Sequence, residues 1–291
     1  MSSNTPFIVG IDGGGTQCRA TLFDPNGTPI ARAKSGPANV ARDFSTAKNS
    51  IIDAVSLVLS RNGENNHSPL DHVAVFAGLA GAQVQSAKQQ IDDWQHPFAS
   101  FQSVTDLHAS TIGAHEGRNG AVLIVGTGSC AAALTNGSLR QFGGHGFLLG
   151  DKGSGAWLGL SAVKKTLIAL DGVGTKVDST FTLPILNALK VESTYEIVSL
   201  MSNQNPAFFA TLAPLVIELA EADQQTAKNI IKKGAKYLSA IATQAIEHSN
   251  GNICLMGGVS QRIRPWLDNQ VQAAIVEPLH SAEWGAVLAA R

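Results

Sequence analysis

The chain has 291 residues, of which 44% are hydrophobic and 15% charged, and its formal net charge is −1 at pH 7. This length accommodates two domains, each with its own core, and the near-neutral charge provides no basic field for nucleic acid. No apolar run reaches membrane-spanning length, and the first residues lack the basic and apolar regions of a signal peptide. We therefore expect a cytoplasmic globular protein that binds neither nucleic acid nor membrane.

The first predicted elements form a pattern that occurs twice. Residues 7–35 comprise an apolar run, a Gly-rich turn, a second apolar run, an Asn-Gly turn and a third extended segment, and the same order begins again at Ala121. Cys18–Phe23 and Ser129–Thr135 are rich in β-formers and small residues and lack helix caps, so each Gly-rich turn joins two strands. A dinucleotide-binding or P-loop motif would instead open a helix. Two such turns favour phosphate binding by backbone N–H groups, and two ordinary hairpin turns are the alternative.

Helices and strands alternate through the rest of the first half. The predicted helices are 45–60, 83–94 and 109–117, and the predicted strands are 71–76 and 98–104. The first helix is indicated by apolar side chains that recur at helical spacing. Asp106 follows the last of these strands, and ligands gather beyond the carboxyl ends of strands in α/β sheets. This position makes Asp106 a candidate functional carboxylate.

The second half is mostly helical after its three-strand unit. The predicted helices are 154–170, 183–248 and one from Ser281, and 252–256 is a predicted strand. Pro206 and Pro214 interrupt the long helical stretch. No Pro-, Ser- or Gly-rich tether flanks the helical block, so we interpret it as an insertion over about residues 156–250 and not as a linker.

Seven segments of the chain, taken in order, resemble the sugar kinase, Hsp70 and actin superfamily. They are IDGGGTQCRA at 11–20, GLAGA at 78–82, TDLHAS at 105–110, GTGSC at 126–130, GGHGFLLGDKGSG at 143–155, LMGGVSQRI at 255–263 and EWGAVLA at 283–289. Within that superfamily the chain is similar to the BadF/BadG/BcrA/BcrD ATPases, and among them to the N-acetylglucosamine and glucosamine kinases. The ordered set is a specific signal, whereas DGGGT alone is a moderate one.

The resemblance implies a fold, a domain organisation and a reaction. The implied fold is α/β, with two RNase H-like (actin-like ATPase) domains, an active-site cleft between them and a helical insertion in the second. The implied domains are residues 1–112 with 279–291, and residues 113–278. The implied reaction is ATP-dependent phosphorylation of the 6-hydroxyl of N-acetylglucosamine or glucosamine, with Mg²⁺. Relatives are often dimers, so a homodimer is compatible with the resemblance.

The same resemblance assigns the residues that would hold the nucleotide. Asp12 ends the first strand and is suited to hold Mg²⁺ through water; the alternative is that Asp12 caps its own Gly turn. The groups expected to contact the phosphates are those of Gly13, Gly14, Gly15 and Thr16 in the first turn and of Gly126, Thr127 and Gly128 in the second. Gly257 and Gly258 resemble the family's adenosine turn, where absent side chains let the base and ribose approach.

Asp106 matches the general base that accepts the proton of the sugar 6-hydroxyl in similar kinases; the alternative is that Asp106 caps the helix that follows it. The implied sugar ligands are the side chains of Asn39 and Asp151 and the backbone of Gly143 and Gly144. Asn39 has an alternative as a turn residue after a proline.

Two residues depart from the family pattern. His145 stands where many relatives have Trp, and Lys152 stands where they have Glu. An acid-to-base exchange beside Asp151 should favour the ionised form of that carboxyl. Both departures bear on the choice of sugar more than on the reaction.

A second class shares this fold and the DGGGT turn: the activator ATPases of 2-hydroxyacyl-CoA dehydratases, which carry an iron–sulfur cluster. A cluster needs thiolate ligands, and the three cysteines, Cys18, Cys130 and Cys254, show no ligand spacing. A sugar-sensing regulator without catalysis is a third interpretation. That interpretation requires loss of Asp12 or Asp106, and both residues are present.

Overall fold

The computed structural model of the protein describes residues 7–63, 69–173 and 178–290. These residues divide into two compact units. The first contains the described parts of Met1–Asn119, Leu134–Leu139 and Glu277–Arg291, and the second contains Gly120–Ala133 and the described part of Arg140–Val276. Each unit has a five-stranded sheet covered by helices. The α/β class predicted from the sequence is therefore confirmed.

The first unit begins with the predicted three-strand motif. Its elements are β1 (Phe7–Gly13), β2 (Cys18–Phe23), β3 (Pro29–Ser35), α1 (Phe44–Ser60), β4 (Val73–Leu79), α2 (Gln85–Asp92), β5 (Ser100–Thr105) and α3 (Asp106–His115). The sheet order is β3-β2-β1-β4-β5. β1, β2 and β3 are successively antiparallel, whereas β4 runs parallel to β1 and β5 runs parallel to β4. The carboxyl ends of β1, β4 and β5 therefore lie at one edge of the sheet.

Two boundaries in the first unit differ from the sequence prediction. β4 continues to Leu79, three residues beyond its predicted end, because Gly78 pairs with Asp12 on one side and with Val104 on the other. Helix α3 begins at Asp106, three residues before its predicted start, because the Thr105 side chain accepts a hydrogen bond from the amide of His108, 3.1 Å away. The cap thus lies at the last strand residue, and the carboxyl end of β5 leads directly into α3.

The second unit repeats the three-strand motif and adds the helical block. Its elements are β6 (Gly120–Val125), β7 (Ser129–Thr135), β8 (Ser138–Gly143), α4 (Gly155–Leu170), α5 (Ser179–Leu189), α6 (Thr194–Met201), α7 (Pro206–Ala210), α8 (Ala213–Glu221), α9 (Gln225–Ser249), β9 (Ile253–Met256), α10 (Ser260–Ile263), α11 (Asn269–Ala273) and β10 (Ile275–Val276). The strand order is β10-β9-β6-β7-β8. Helices α4 to α9 form the predicted insertion, and their apolar faces share one core with β6 and β9.

The stretch predicted as helical from residue 183 to residue 248 is divided into five helices. Pro206 and Pro214 stand in the first turns of α7 and α8, where a missing N–H costs no helical hydrogen bond. The carboxyl ends of α5 and α8 are followed by residues with left-handed backbone, Lys190 with φ 56° and Asp223 with φ 69°. Periodicity alone does not reveal such ends, because neither residue type is a strong helix breaker.

The last helix, α12 (Ala282–Leu288), belongs to the first unit. It packs against α3 at very short range: a Cβ added to Gly285 would lie 2.0 Å from the carbonyl oxygen of Ala109 and 2.6 Å from the amide nitrogen of Gly113. The Trp284 ring packs on Phe23, with ring centroids 4.8 Å apart. The helix that carries Asp106 is thus supported by the carboxyl-terminal end of the chain. Among the described residues, no helix has both the length and the apolar character needed to cross a membrane.

Candidate active site

Asp12 and Asp106 lie at the same edge of the first unit's sheet. Asp12 is the next-to-last residue of β1, and Asp106 directly follows β5. Gly78 of β4 lies between the two strands, and a Cβ built on Gly78 would be 3.4 Å from the Cα of Asp106. The negative charge of Asp12 acts on the Asp106 carboxyl. The structure thus brings together the carboxylates predicted to hold a metal and to act as base.

The first Gly-rich turn is closed by its own backbone. The amide of Gly14 donates to the carbonyl of Gln17 over 3.0 Å, and the carbonyl of Gly14 accepts from the amide of Ala38 over 2.9 Å. A Cβ built on Gly15 would meet no atom within 4 Å, so the backbone there is open to a ligand. The Gly14 amide is thus engaged within the turn.

Asp12 does not cap this turn. Its carboxylate forms an ion pair with the Arg19 guanidinium, and Arg19 stands directly opposite Asp12 in the β1–β2 register. The alternative that Asp12 caps its own turn is therefore wrong. Arg19 is a functional candidate that sequence reasoning missed. Its signal was available, because residues equidistant from a hairpin turn face each other across the two strands.

Asn39 lies in the segment between β3 and α1, which is hydrogen-bonded both to the first Gly-rich turn and to the residue that follows β4. The segment is fixed by the amide of Val40, which donates to the carbonyl of Ala80 over 3.0 Å. The Asn39 side-chain oxygen accepts from the amides of Ala41 at 3.1 Å and Arg42 at 3.0 Å. The turn role given above as the alternative for Asn39 is therefore present, and it uses the side-chain oxygen and not the amide nitrogen.

Asp106 is the first residue of α3, and its Oδ1 accepts from the amide of Leu107 over 2.9 Å. The helix cap is Thr105, so the alternative that Asp106 caps the helix is wrong. Burial raises the pKa of the Asp106 carboxyl, and the charge of Asp12 raises it further, while the Leu107 amide partly offsets both. A carboxylate with a raised pKa is a stronger proton acceptor, as a general base requires.

The raised pKa of Asp106 predicts a pH dependence of stability. Because the folded state holds this proton more tightly than the unfolded state, stability falls as the pH rises from the ordinary carboxyl value through the folded one. We expect Asp106→Asn to have a larger free energy of unfolding than the wild type near pH 7, with the difference vanishing toward about pH 4. Urea unfolding of both proteins at several pH values measures this difference in the free energy of unfolding. A variant less stable than the wild type throughout would contradict it.

The second Gly-rich turn packs against the start of helix α4. The carbonyl of Gly126 accepts from the amide of Gly155 over 2.8 Å, and that of Thr127 accepts from Ala156 over 3.2 Å. Gly257, with φ 93°, lies against the end of β6, where an added Cβ would be 2.5 Å from the carbonyl oxygen of Val125. The two turns predicted to contact phosphate and adenosine are therefore neighbours within the second unit.

Asp151 is packed directly on the second Gly-rich turn. A Cβ built on Gly128 would lie 2.9 Å from Oδ2 of Asp151, and the carboxylate accepts hydrogen bonds from the backbone of Ser129 and Gly146. Asp151 has left-handed backbone, with φ 53°; for a residue with a side chain, such strain is concentrated at functional sites. The sugar residue predicted from the sequence thus touches the predicted phosphate turn.

The expected effect of Lys152 on Asp151 is wrong. The Lys152 ammonium lies over the Tyr237 ring, 6.0 Å from its centroid, and it does not stabilise the Asp151 carboxylate. Burial raises the pKa of Asp151, opposed by the backbone hydrogen bonds and by His145. The backbone of Gly143 also approaches Tyr237, because an added Cβ would be 2.8 Å from the phenol oxygen. Tyr237 comes from α9, and its sequence position indicated only a helix.

The cysteines do not form a cluster-binding group in the described residues. Cys18 is buried in β2, and burial raises the pKa of its thiol to about 12. Cys254 is buried in β9 of the second unit. Across residues 7–63, 69–173 and 178–290, no three His, Cys, Asp or Glu side chains are grouped to hold a metal.

The chain has two five-stranded α/β sheets, each with a Gly-rich hairpin turn, and this is the fold of the actin-like sugar kinases. The sequence model of the BadF/BadG/BcrA/BcrD ATPase family matches residues 9–290, and the chain belongs to that family. The resemblance inferred from the seven segments is therefore confirmed.

Three relatives illustrate the similarity. Glucosamine kinase GspK of Vibrio cholerae is 33% identical over 288 residues, which cover 97% of this chain and 95% of that protein. N-acetylmuramic acid/N-acetylglucosamine kinase of Clostridium acetobutylicum is 26% identical over 304 residues, covering 98% of each. A crystal structure from Chromobacterium violaceum, provisionally described as an N-acetylglucosamine kinase, has a TM-score of 0.91 at 29% identity and covers 99% of this chain and 100% of that one.

Proposed function

We propose that this protein is an ATP-dependent kinase that transfers the γ-phosphoryl group of ATP to the 6-hydroxyl of an amino hexose, either glucosamine or N-acetylglucosamine. The observation that carries the proposal is that the Asp12 and Asp106 carboxylates lie at the same edge of the sheet, beside a Gly-rich turn. Family membership supports ATP use. The 33% identity to a glucosamine kinase over nearly the full length supports an amino sugar as the acceptor.

In this mechanism Asp106 accepts the proton of the 6-hydroxyl while the new O–P bond forms and the bond from the γ-phosphorus to the β-phosphate oxygen breaks. Its raised pKa increases its basicity toward an alcohol. The released proton stays on the carboxyl until it passes to solvent after the product leaves. Phosphoryl transfer otherwise requires positioning and charge neutralisation from the protein.

The residues of the Gly-rich turns position the nucleotide. In the first unit, the backbone amides of Gly15 and Thr16 are the donors for phosphate oxygens. In the second unit, the Gly126 amide donates to the carbonyl of Gly128 over 2.9 Å, so the donors there are the amides of Thr127 and Gly128. Gly257 and Gly258 leave room for the adenosine. Asp12 is a largely buried carboxylate at the end of a strand, 13% exposed, and fits a magnesium ion held through water. When bound, that ion neutralises phosphate charge.

Asp151 and Asn39 orient the sugar. The Asp151 carboxylate accepts hydrogen bonds from sugar hydroxyls, and the Asn39 amide nitrogen donates one. Gly143 and Gly144 have φ of 72° and 71°, so their backbone groups can approach a ring that a side chain would exclude. These roles rest on the family resemblance together with the positions seen in each unit.

ADP release with glucosamine and N-acetylglucosamine, measured side by side, tests the proposal. We expect one of them to give sustained turnover, with a sugar 6-phosphate as product by ³¹P NMR. The matched control is the 6-deoxy form of the preferred sugar, which lacks the accepting hydroxyl and should bind without releasing ADP. Release of ADP at the same rate with and without either sugar would contradict the assignment of an amino-sugar kinase.

A further inference from the structure

A second charged side chain reaches the Arg19–Asp12 ion pair from the carboxyl-terminal helix. The Arg19 Nε lies 3.7 Å from Oε1 of Glu283, while its Nη2 contacts Oδ2 of Asp12. Asp12 and Glu283 are 13% and 11% exposed, whereas Arg19 is 45% exposed. The guanidinium is thus the most exposed of the three groups and lies between two nearly buried carboxylates. Burial opposes its charge, but the two carboxylates outweigh this effect and raise its pKa.

Glu283 is held in place by the backbone on both sides. It is in the first turn of α12, which Ser281 caps by accepting from the amide of Trp284 over 3.3 Å. Its own carbonyl oxygen presses on β1, since a Cβ built on Gly10 would lie 2.2 Å from it. The backbone of Glu283 is therefore fixed relative to β1, the strand that ends near Asp12.

We propose that Arg19 is the internal counter-ion of Asp12 in the nucleotide-free protein, and that Glu283 retains the guanidinium beside the site when a divalent cation takes Asp12. The proposal rests on the proposed function for its assignment of Asp12 to the metal. Arg19 and the cation compete for the same carboxylate oxygen. An arginine with one partner would swing into solvent when displaced, whereas one with two partners stays beside the phosphate turn. Both residues are positioning residues for the cation.

The competition predicts opposite effects at the two positions. Removing the arginine charge frees Asp12, so Arg19→Gln should bind a cation roughly fivefold more tightly, the equivalent of one partly exposed ion pair. Removing the second partner directs Arg19 to Asp12 alone, so Glu283→Gln should bind a cation more weakly, by about threefold. Arg19→Lys keeps the positive charge, so its affinity for the cation should be near that of the wild type.

The probe is Mn²⁺ alone, without nucleotide or sugar, with free Mn²⁺ measured by electron paramagnetic resonance. Asp12→Asn locates the site and should abolish the binding. The matched control is Lys34→Gln, because Lys34 is exposed and is the cross-strand neighbour of Arg19 on β3. The Mn²⁺ affinity of Lys34→Gln should stay within about twofold of the wild-type value, since the substitution removes a nearby charge but no ion pair. Circular dichroism confirms that each variant is folded.

Three results would overturn the proposal: unchanged or weaker Mn²⁺ binding by Arg19→Gln, an equal gain from Lys34→Gln, or binding that survives Asp12→Asn. If neither the wild type nor Arg19→Gln binds Mn²⁺, the proposal is also wrong, because removal of the counter-ion exposed no cation site. Arg19→Lys provides a folded comparison should the Gln variant fail to fold. None of these readings depends on turnover, so loss of the kinase assignment and loss of this proposal are distinguishable.

Discussion

Asp106→Asn is expected to lower kcat for sugar phosphorylation by about 10²–10⁴-fold, the usual loss when a general base is removed. The substitution keeps the shape of the side chain, and its oxygen can still accept from the Leu107 amide, now 2.9 Å from Oδ1. What is lost is the capacity to take a proton. KM for both substrates should change by only a few fold, because the interaction is made in the transition state. Steady-state kinetics with saturating sugar and ATP measures the effect.

The control for this substitution is Asp92→Asn, which makes the same exchange at an exposed carboxylate at the end of α2. That variant should match the wild type in kcat. If Asp106→Asn retained more than about a tenth of the wild-type kcat, Asp106 would not be the base. A loss confined to KM would instead assign Asp106 to sugar binding.

This prediction and the stability prediction for the same variant have opposite signs. Burial at the sheet edge makes the Asp106 carboxylate a better base and also makes its ionised form costly in the folded state. A residue that is required for function and unfavourable for stability is typical of active sites. Observation of both effects in Asp106→Asn would separate a catalytic carboxylate from one that only supports the fold.

The sequence predicts the three-strand repeat, the helical insertion and the family because each rests on a local signal. An apolar run that ends at Asp12 and Gly13 defines a strand and its turn, and Gly126 and Gly128 mark the second copy. Asp106 was found because a carboxylate follows a predicted strand, and the parallel pairing of β1, β4 and β5 then brings it toward Asp12. Position along the chain determined these parts of the candidate site.

The remaining parts depend on side-chain packing between distant segments, which local patterns do not encode. Glu283 meets Arg19 because α12 lies on β1. Lys152 was assigned to Asp151 because the two are adjacent in sequence, yet its ammonium lies over Tyr237, which is more than eighty residues away. Adjacent residues of a loop can point in different directions, so sequence proximity is a weak guide to charge pairing.

Gly285→Ala is expected to destabilise the first unit strongly, by about 1–3 kcal/mol or more. The added methyl would meet the carbonyl oxygen of Ala109 at 2.0 Å and the backbone of Gly113 at 2.6–2.8 Å. These are backbone atoms of α3, so no side-chain rotation relieves the overlap, and the two helices must move apart. Because Asp106 begins α3, this shift should also lower kcat. Urea unfolding and steady-state kinetics on the same preparation measure the two effects.

The matched control is Gly15→Ala, for which the added Cβ has no atom within 4 Å and the backbone φ is not in the left-handed region. Its free energy of unfolding should stay within about 0.5 kcal/mol of the wild-type value, as for other substitutions in open space. Equal stability of Gly285→Ala and the wild type would show that the α3–α12 contact is looser than the structure indicates. In that case the link between the carboxyl-terminal helix and the position of Asp106 would also be lost, because that link depends on backbone contact at Gly285.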